Sequence, residues 1–149
     1  IAPFAVESQR ILRLEKKHII IGQDTDVVSN PLEADMSWVV RFEKEDFIGK
    51  HALENIRDRG LRDKLIGFVM EGGIVPEDGL PVVANGRPVG RVTSSRLSPT
   101  LQKGFGLAWG PAELSEAGST IHIQINKKLH PATVWDKPFY DPDGVRLRE

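Results

Sequence analysis

Residues 80–94 read LPVVANGRPVGRVTS and predict the element that sets the fold, a β-hairpin. The runs Leu80–Val83 and Val89–Ser94 are rich in β-branched residues, and the Asn85-Gly86 dipeptide between them favours a tight two-residue turn. Four more short β-rich runs surround this hairpin: Leu65–Met70, Gly104–Ala108, Thr120–Ile125 and Ala132–Trp135. About six short strands joined by tight turns predict a small antiparallel barrel or sandwich.

The first 61 residues show both helical and strand-like patterns, which predict a short α/β part. A helix is predicted over 5–17, because Phe4, Ser8, Ile11 and Glu15 fall on one stripe at helical spacing. The other expected elements are a strand at His18–Ile21, a short helix after Asn30, a strand at Trp38–Phe42 and a helix over about 48–59 that ends at Gly60. We therefore predict an α+β fold with two domains, residues 1–61 and residues 62–149.

Composition narrows the classes of function. The net charge is −1 with no basic block, which argues against a nucleic-acid partner. No apolar run approaches the roughly 18–20 residues that span a bilayer, so we expect no membrane partner. Cysteine is absent, which excludes disulfides and thiolate chemistry within the chain and fits a cytoplasmic location. Because the chain begins at Ile1 inside helical sequence, we expect it to be part of a longer protein.

Glu15 is the most informative single residue. A carboxylate on an apolar helix stripe must find strong donors. The structural interpretation is a salt bridge to a nearby Arg or Lys, or a side chain that reaches solvent. The functional interpretation is recognition of a planar ligand that presents two N–H donors side by side, since one carboxylate can accept both.

The other polar residues predict structural roles. Asp24 and Asp26 share a tight loop, where aspartates usually cap turns, although paired carboxylates also serve acid–base chemistry or cations. The four histidines lack metal-motif spacing, so no metal site is expected. Ser94, Ser95 and Ser98 have no nucleophile motif, and Ser98-Pro99-Thr100-Leu101 is typical of a strand leaving into a hydroxyl-rich turn.

Five segments, taken together and in order, carry a resemblance to a known family. They are Leu12–Lys16 (LRLEK), Asn30–Ala34 followed by Trp38 (NPLEA…W), Asp46–Leu53 (DFIGKHAL), Gly90–Leu101 (GRVTSSRLSPTL) and Pro138–Pro142 (PFYDP). In this order they resemble the glycine-cleavage aminomethyltransferase (T-protein) family. The run from Phe4 to Asp26, together with Glu33–Met36, is most similar to the α-subunit of heterotetrameric sarcosine oxidase.

The resemblance implies a folate-dependent one-carbon enzyme. In such a protein, tetrahydrofolate captures an iminium made by oxidation of an N-methyl amine and becomes 5,10-methylenetetrahydrofolate. Residues 1–61 would then be the C-terminal part of the folate-binding domain, and residues 62–149 the C-terminal β-barrel. Flavin and NAD are expected only on missing parts or partner subunits. The implied partners are tetrahydrofolate, the missing N-terminal half and other subunits of a hetero-oligomer.

The resemblance also implies site residues. The family's Arg-Leu-Glu glutamate corresponds to Glu15, which would contact the pterin ring. The family often has Arg-Lys-Leu where the barrel begins; here Asp63 occupies the aligned position, and Arg62, one residue earlier, is a second candidate folate contact. The family's catalytic aspartate lies before residue 1, so we expect no catalytic residue in this chain and no activity from the chain alone.

Three alternatives remain at this stage. The first is a glycine-cleavage aminomethyltransferase. The second is a non-catalytic folate-binding relative that supports iron–sulfur cluster maintenance, against which Ile19 argues because it replaces the cysteine of that group's Lys-Gly-Cys-Tyr motif. The third is a structural module whose barrel packs against partner subunits.

Overall fold

The computed structural model describes residues 5–148, which form two α-helices and six β-strands. The helices are α1 (Val6–Glu15) and α2 (Lys50–Arg59). The strands are β1 (Asp63–Met70), β2 (Pro81–Ala84), β3 (Arg87–Ser98), β4 (Lys103–Pro111), β5 (Thr120–Ile125) and β6 (Lys128–Trp135). Single 3-10 turns occur at Ser37–Val39, Ala112–Leu114 and Val145–Leu147.

The six strands form a closed antiparallel barrel. Their order around it is β1-β4-β3-β2-β5-β6, and β6 pairs with β1 to close the ring, with Gly67 opposite Trp135. Closure leaves no open sheet edge, which suits strands as short as these. The predicted α+β fold with a small antiparallel six-stranded barrel is confirmed.

The β2–β3 hairpin turns where the sequence predicts. Asn85 and Gly86 have φ values of 51° and 72°, and two consecutive positive φ angles define a type I′ turn. Irregularities in strand register occur between Val82 and Val83 and between Val92 and Ser94. Such irregularities increase local twist, which helps a small sheet to close on itself.

The barrel interior holds one apolar core. Along β5, Ile121 and Ile123 are buried while His122 between them is exposed, the alternation expected for a strand with one covered face. The buried members of this core are Ile66, Phe68, Met70, Val82, Val92, Ala108, Ile121, Ile123, Ala132 and Val134.

A second apolar cluster attaches α1 to the outside of the barrel. Leu14 is fully buried and packs with Leu65, Phe105 and Leu107, which point away from the barrel interior, and with Phe139 from the segment after β6. The rings of Phe105 and Phe139 meet edge to face, with centroids 4.9 Å apart. The C-terminal end of α1 therefore has a fixed place on the barrel. Phe4, which the sequence places on the same helical stripe, lies outside the described residues.

Two strands predicted before the barrel do not form. The run His18–Ile21 is irregular and leads into a turn at residues 22–24, in which the backbone N–H groups of Gln23 and Asp24 both donate to the carbonyl of Ile20. In place of the strand predicted at Trp38–Phe42, Ser37–Val39 forms a 3-10 turn, and Trp38 is 76% exposed. β-branched and aromatic residues favour strands only where a partner strand is available, and neither run has one among residues 5–148.

The predicted helix after Asn30 stops after one turn. Asn30 caps it as expected, since its side-chain oxygen accepts from the backbone N–H groups of Leu32 and Glu33. Asp35 then takes a left-handed φ of 60°, which an α-helix does not continue through. By contrast, the predicted helix over 48–59 is present as α2 and ends at Gly60 with a φ of 85°.

Among residues 5–148, no helix is long and apolar enough to cross a membrane. Strand β1 begins at Asp63. The division into domains at residues 1–61 and 62–149 stays a prediction.

Candidate functional site

Glu15 is buried at the C-terminal end of α1. Glu15 is only 4% exposed. The hydroxyl of Ser98 donates a hydrogen bond to Glu15 Oε1 at 2.6 Å. Within residues 5–148 this is the only hydrogen bond to the carboxylate. Oε2 accepts no hydrogen bond from residues 5–148. Within the described residues, the carboxylate therefore has one hydrogen-bonded oxygen and one oxygen without a hydrogen bond.

The cations nearest to Glu15 in sequence are paired with other acids. Arg13 pairs with Asp24, Lys16 with Asp141, and Lys17 with Asp35, at N–O distances of 2.5, 3.0 and 2.7 Å respectively. No salt bridge to Glu15 is present among the described residues. Within residues 5–148, Glu15 thus takes part in no ion pair, and at 4% exposure it is not a solvent-exposed side chain.

Hydrogen bonds of its strand and of the turn that follows fix the position of Ser98 next to Glu15. It is the last residue of β3, is fully buried, and pairs across the ladder with Lys103. Its hydroxyl oxygen accepts from the backbone N–H of Leu101 at 3.0 Å, and its carbonyl accepts from the N–H of Gln102. The Ser98-Pro99-Thr100-Leu101 segment is thus a turn, as the sequence predicts, but its serine also reaches Glu15.

Arg13 and Asp24 form a buried ion pair close to Glu15 in the chain. Arg13 Nη1 lies 2.5 Å from Asp24 Oδ2, and the two side chains are 10% and 0% exposed. Arg13 Nη1 also donates to the carbonyl of His18, whereas Arg13 Nε has no partner. Asp24 Oδ2 additionally accepts from the backbone N–H of Ile20, so the predicted turn-capping role is present alongside the ion pair.

The ion pair is joined to β3 by hydroxyl groups. Thr93 and Ser94 both donate to Asp24 Oδ1, at 2.7 and 2.5 Å. The Ser94 hydroxyl in turn accepts from Arg13 Nη2 and from the side-chain amide of Gln23. The polar network ties α1 and the following loop to the barrel wall, and thereby fixes the end of α1 on which Glu15 lies.

Asp26 performs the turn role that the sequence predicts, and its Oδ2 also lies 3.5 Å from Arg91 Nη2 of β3. Its Oδ1 accepts from the backbone N–H groups of Val28 and Ser29 and from the Ser29 hydroxyl. The hydrogen bond from the Ser29 hydroxyl is the main reason why the pKa of Asp26 lies below its ordinary value. The two aspartates of this loop therefore face different surroundings and do not act as a carboxylate pair.

Arg62 lies far from Glu15. Its side chain is 89% exposed and donates to Asp63 at 2.9 Å, a hydrogen bond that raises the pKa of Arg62. Asp63 pairs with Pro111 at one end of β4, whereas Ser98 pairs with Lys103 at the other end. The eight positions from Lys103 to Pro111 correspond to ~26 Å along the strand. Glu15 and Arg62 therefore cannot contact the same ring of a ligand.

A surface cleft of about 570 Å³ lies beside Arg62 and does not include Glu15. It is bordered by both charge signs, with Arg59, Arg62 and Arg91 beside Asp26, Glu33 and Asp63. Among residues 5–148 no group of three or more His, Asp or Glu side chains is arranged to hold a metal ion. The residues that line the cleft do not by themselves indicate a reaction or a ligand.

Sequence reasoning misses Ser98 and Arg13 as members of the site. Both lie in segments that the sequence marks as informative, but their contacts with Glu15 and Asp24 join positions 83 and 11 residues apart. Helical periodicity relates residues within one element only. The available signal is the run of hydroxyl residues along the second half of β3, which is unusual for a buried strand.

Comparison with known proteins places the chain in a family. Residues 64–141, just over half of the chain, match the family model described as the glycine cleavage T-protein C-terminal barrel domain. Aminomethyltransferases from Synechococcus sp. (strain CC9902) and Rubrobacter xylanophilus are each 40% identical to it, over 94% and 96% of this chain. The chain spans about two fifths of their length, 39% in both cases.

A solved structure has the same fold. The glycine cleavage system aminomethyltransferase T from Bartonella henselae superposes with a TM-score of 0.84 over 91% of this chain and 38% of that one, at 22% sequence identity. The barrel, the helix packed on it and the sequence match define a C-terminal domain of the aminomethyltransferase class. The chain belongs to the glycine cleavage T-protein family.

Proposed function

We propose that this chain is the C-terminal part of a tetrahydrofolate-dependent aminomethyltransferase of the glycine-cleavage type, in which Glu15 holds the pterin ring. Two findings support the proposal: family membership, and relatives that carry the name aminomethyltransferase. The chain spans about two fifths of those relatives, so we expect it to work with an N-terminal part of the kind they contain.

One observation carries the assignment to Glu15. The carboxylate is buried, and within residues 5–148 it has no cationic partner and one oxygen without a hydrogen bond. Burying an ionised carboxylate is costly unless donors satisfy it, and one hydroxyl is few for a group with about four acceptor sites. A pterin offers an amino group and a ring N–H in one plane, which are the donors that this carboxylate lacks.

The residues present therefore fit the pterin part of tetrahydrofolate. Glu15 would accept hydrogen bonds from the two pterin donors and so hold the ring at the C-terminal end of α1. Tetrahydrofolate, when bound, supplies the nitrogen that receives the one-carbon unit. The residue that drives this transfer is expected outside the chain, so the contribution of these 149 residues is binding and orientation. The isolated chain should consequently bind folate weakly and have no transferase activity.

The test is the folate affinity of the full-length protein that contains this chain, with Glu15→Gln. Calorimetric titration with tetrahydrofolate should give a Kd weaker by about tenfold to a hundredfold, since hydrogen bonds to a charged group contribute about 1.5–3 kcal/mol. Glu7→Gln is the matched control, because Glu7 lies on the same helix with a side chain 56% exposed. An unchanged Kd in Glu15→Gln would remove the assignment.

A second candidate function is a sarcosine oxidase α-subunit. This candidate is supported by the sequence resemblance of the run from Phe4 to Asp26, whereas the relatives of the whole chain are named aminomethyltransferases. In this case tetrahydrofolate would receive its carbon from an N-methyl amine oxidised at a flavin on another subunit. Purification of the full-length protein with its native partners distinguishes the two. A flavin absorbance that co-purifies, with oxygen consumption on sarcosine, would favour the oxidase.

A further inference from the structure

We infer that Ser98 is a positioning residue for folate recognition, acting through the Glu15 carboxylate. The inference rests on the proposed function, because it concerns the orientation in which Glu15 meets the pterin. Ser98 Oγ lies 2.6 Å from Glu15 Oε1, and the two residues are 0% and 4% exposed. They join the end of β3 to the end of α1, two elements that are 83 residues apart in the chain.

The direction of the hydrogen bond is determined by the turn that follows Ser98. The hydroxyl oxygen already accepts from the N–H of Leu101, so one of its lone pairs is occupied. A hydroxyl has a single proton, and the acceptor it reaches among the described residues is Glu15 Oε1. Ser98 therefore donates to Glu15 Oε1.

Glu15 is held at both ends. Its backbone carbonyl accepts from the N–H of Tyr140 at 3.0 Å, and its Oε1 is held by Ser98. A glutamate side chain has several rotatable bonds, and ordering them on binding has an entropic cost. Because Ser98 orders the carboxylate before any ligand arrives, this cost is removed from the binding step.

The same contact selects the shape of the donor. With Oε1 bonded to Ser98, the position of that oxygen is held, while Oε2 and the second lone pair of Oε1 accept no hydrogen bond from residues 5–148. These two positions lie in one plane and suit two coplanar N–H groups, as in a 2-amino-4-oxo pyrimidine ring. A single amine would satisfy only one of them. Ser98 thereby favours planar, two-donor ligands over simple cations.

The experiment is a double-mutant cycle on the full-length protein, with tetrahydrofolate Kd measured by calorimetry for wild type, Ser98→Ala, Glu15→Gln and the double variant. We expect Ser98→Ala to weaken binding about tenfold in the wild-type background. In the Glu15→Gln background the same change should have a clearly smaller effect, because the hydroxyl then donates to a neutral amide oxygen, which makes a weaker hydrogen bond than a carboxylate oxygen does. Ser98→Thr retains the hydroxyl and should restore affinity to within about threefold of wild type.

Ser95→Ala is the matched control for the loss of a buried serine hydroxyl. Ser95 lies three residues earlier on β3, is 1% exposed and donates to the carbonyl of Pro76 rather than to Glu15. It should leave the folate Kd unchanged, and thermal unfolding of every variant checks that the fold is retained. If Ser98→Ala fails to fold, Ser98→Thr and Ser98→Cys in the same cycle still compare a strong with a weak donor.

The outcomes separate this inference from the function on which it rests. If Glu15→Gln weakens binding but Ser98→Ala does not, or if Ser98→Ala has the same effect in both backgrounds, Ser98 is a structural serine and the inference is wrong. If Glu15→Gln itself leaves the Kd unchanged, the proposed function fails, and the role of Ser98 in pterin binding fails with it.

Discussion

Arg13 and Asp24 form a nearly sealed ion pair between helix α1 and the loop that follows it, with Nη1 and Oδ2 2.5 Å apart and side chains 10% and 0% exposed. Thr93 and Ser94 extend the contact to the barrel wall through Asp24 Oδ1. Glu15 lies two residues after Arg13 on the same helix. The position of Glu15 on the barrel thus depends on a polar connection as well as on the apolar packing of Leu14.

Asp24→Asn should lower the free energy of unfolding of the chain by about 3–5 kcal/mol, because it leaves the Arg13 guanidinium buried without its counter-charge. Equilibrium urea unfolding measures the change. Asp58→Asn is the control, since the Arg57–Asp58 pair is 51% and 66% exposed and such surface pairs contribute at most about 1 kcal/mol. Equal losses of unfolding free energy in the two variants would show that the buried pair contributes no more to stability than the exposed pair.

Gly106→Ala should destabilise the barrel by about 1–3 kcal/mol or more, because a Cβ there would lie 2.1 Å from the backbone oxygen of Ser94 and cannot be accommodated without moving β3 from β4. Gly73→Ala is the control, since a Cβ at that position would have no other atom within 4 Å and the φ of Gly73 is ordinary. It should be neutral or stabilising by up to about 1 kcal/mol. Thermal unfolding curves compare the two, and similar losses would contradict the close approach of these strands.

Asp141 should make the attachment of the C-terminal segment sensitive to acid. The hydrogen bond from the Lys16 ammonium group lowers the pKa of Asp141 below its ordinary value of 3.8. A lowered folded-state pKa gives a contribution to stability that is complete above about pH 5 and decreases as the pH falls through 3.8 toward the folded pKa. Unfolding measured between about pH 5 and about pH 2 should therefore depend less steeply on pH in Asp141→Asn than in wild type.

The exposed Asp143 provides the control for that experiment, because it lies in the same segment. Asp143→Asn should retain the wild-type pH dependence. If Asp141→Asn and wild type lose stability in parallel, the Lys16–Asp141 pair does not favour the ionised carboxyl in solution.

Arg62 is the second predicted folate contact, and its distance from Glu15 predicts how the effects of substituting the two residues combine. The ~26 Å of β4 between their positions exceeds the range over which side chains usually couple. Should Arg62→Ala weaken tetrahydrofolate binding, its effect and that of Glu15→Gln should add to within about 0.5 kcal/mol. Calorimetric Kd values for both single variants and the double variant measure this, and a clear departure from additivity would mean that the two residues share one contact.

The barrel is predictable from sequence because its signals are local. Strand β5 occurs at the predicted bounds, Thr120–Ile125, since alternating Ile121 and Ile123 identify a strand with one buried face. The Asn85-Gly86 turn is likewise predictable, because few dipeptides accept two positive φ angles. Both features depend only on residues close to each other in the chain.

The wrong predictions depend on partners that the sequence does not reveal. His18–Ile21 has strand-forming residues but no strand beside it among residues 5–148, so hydrogen bonds within the loop take its backbone groups. Strand β3 continues to Ser98 rather than ending at the predicted Ser94, because the hydroxyl groups of Ser94 and Ser98 face Asp24 and Glu15 rather than water. Polar residues in a strand normally indicate solvent, and here they indicate buried carboxylates.

The most direct test of the account is a crystal structure of the full-length protein that contains this chain, with tetrahydrofolate bound. We predict that the pterin amino group and an adjacent ring N–H lie about 2.7–3.2 Å from the two carboxylate oxygens of Glu15, with Ser98 still donating to Oε1. A pterin ring bound elsewhere, with Glu15 contacting only protein atoms, would contradict it.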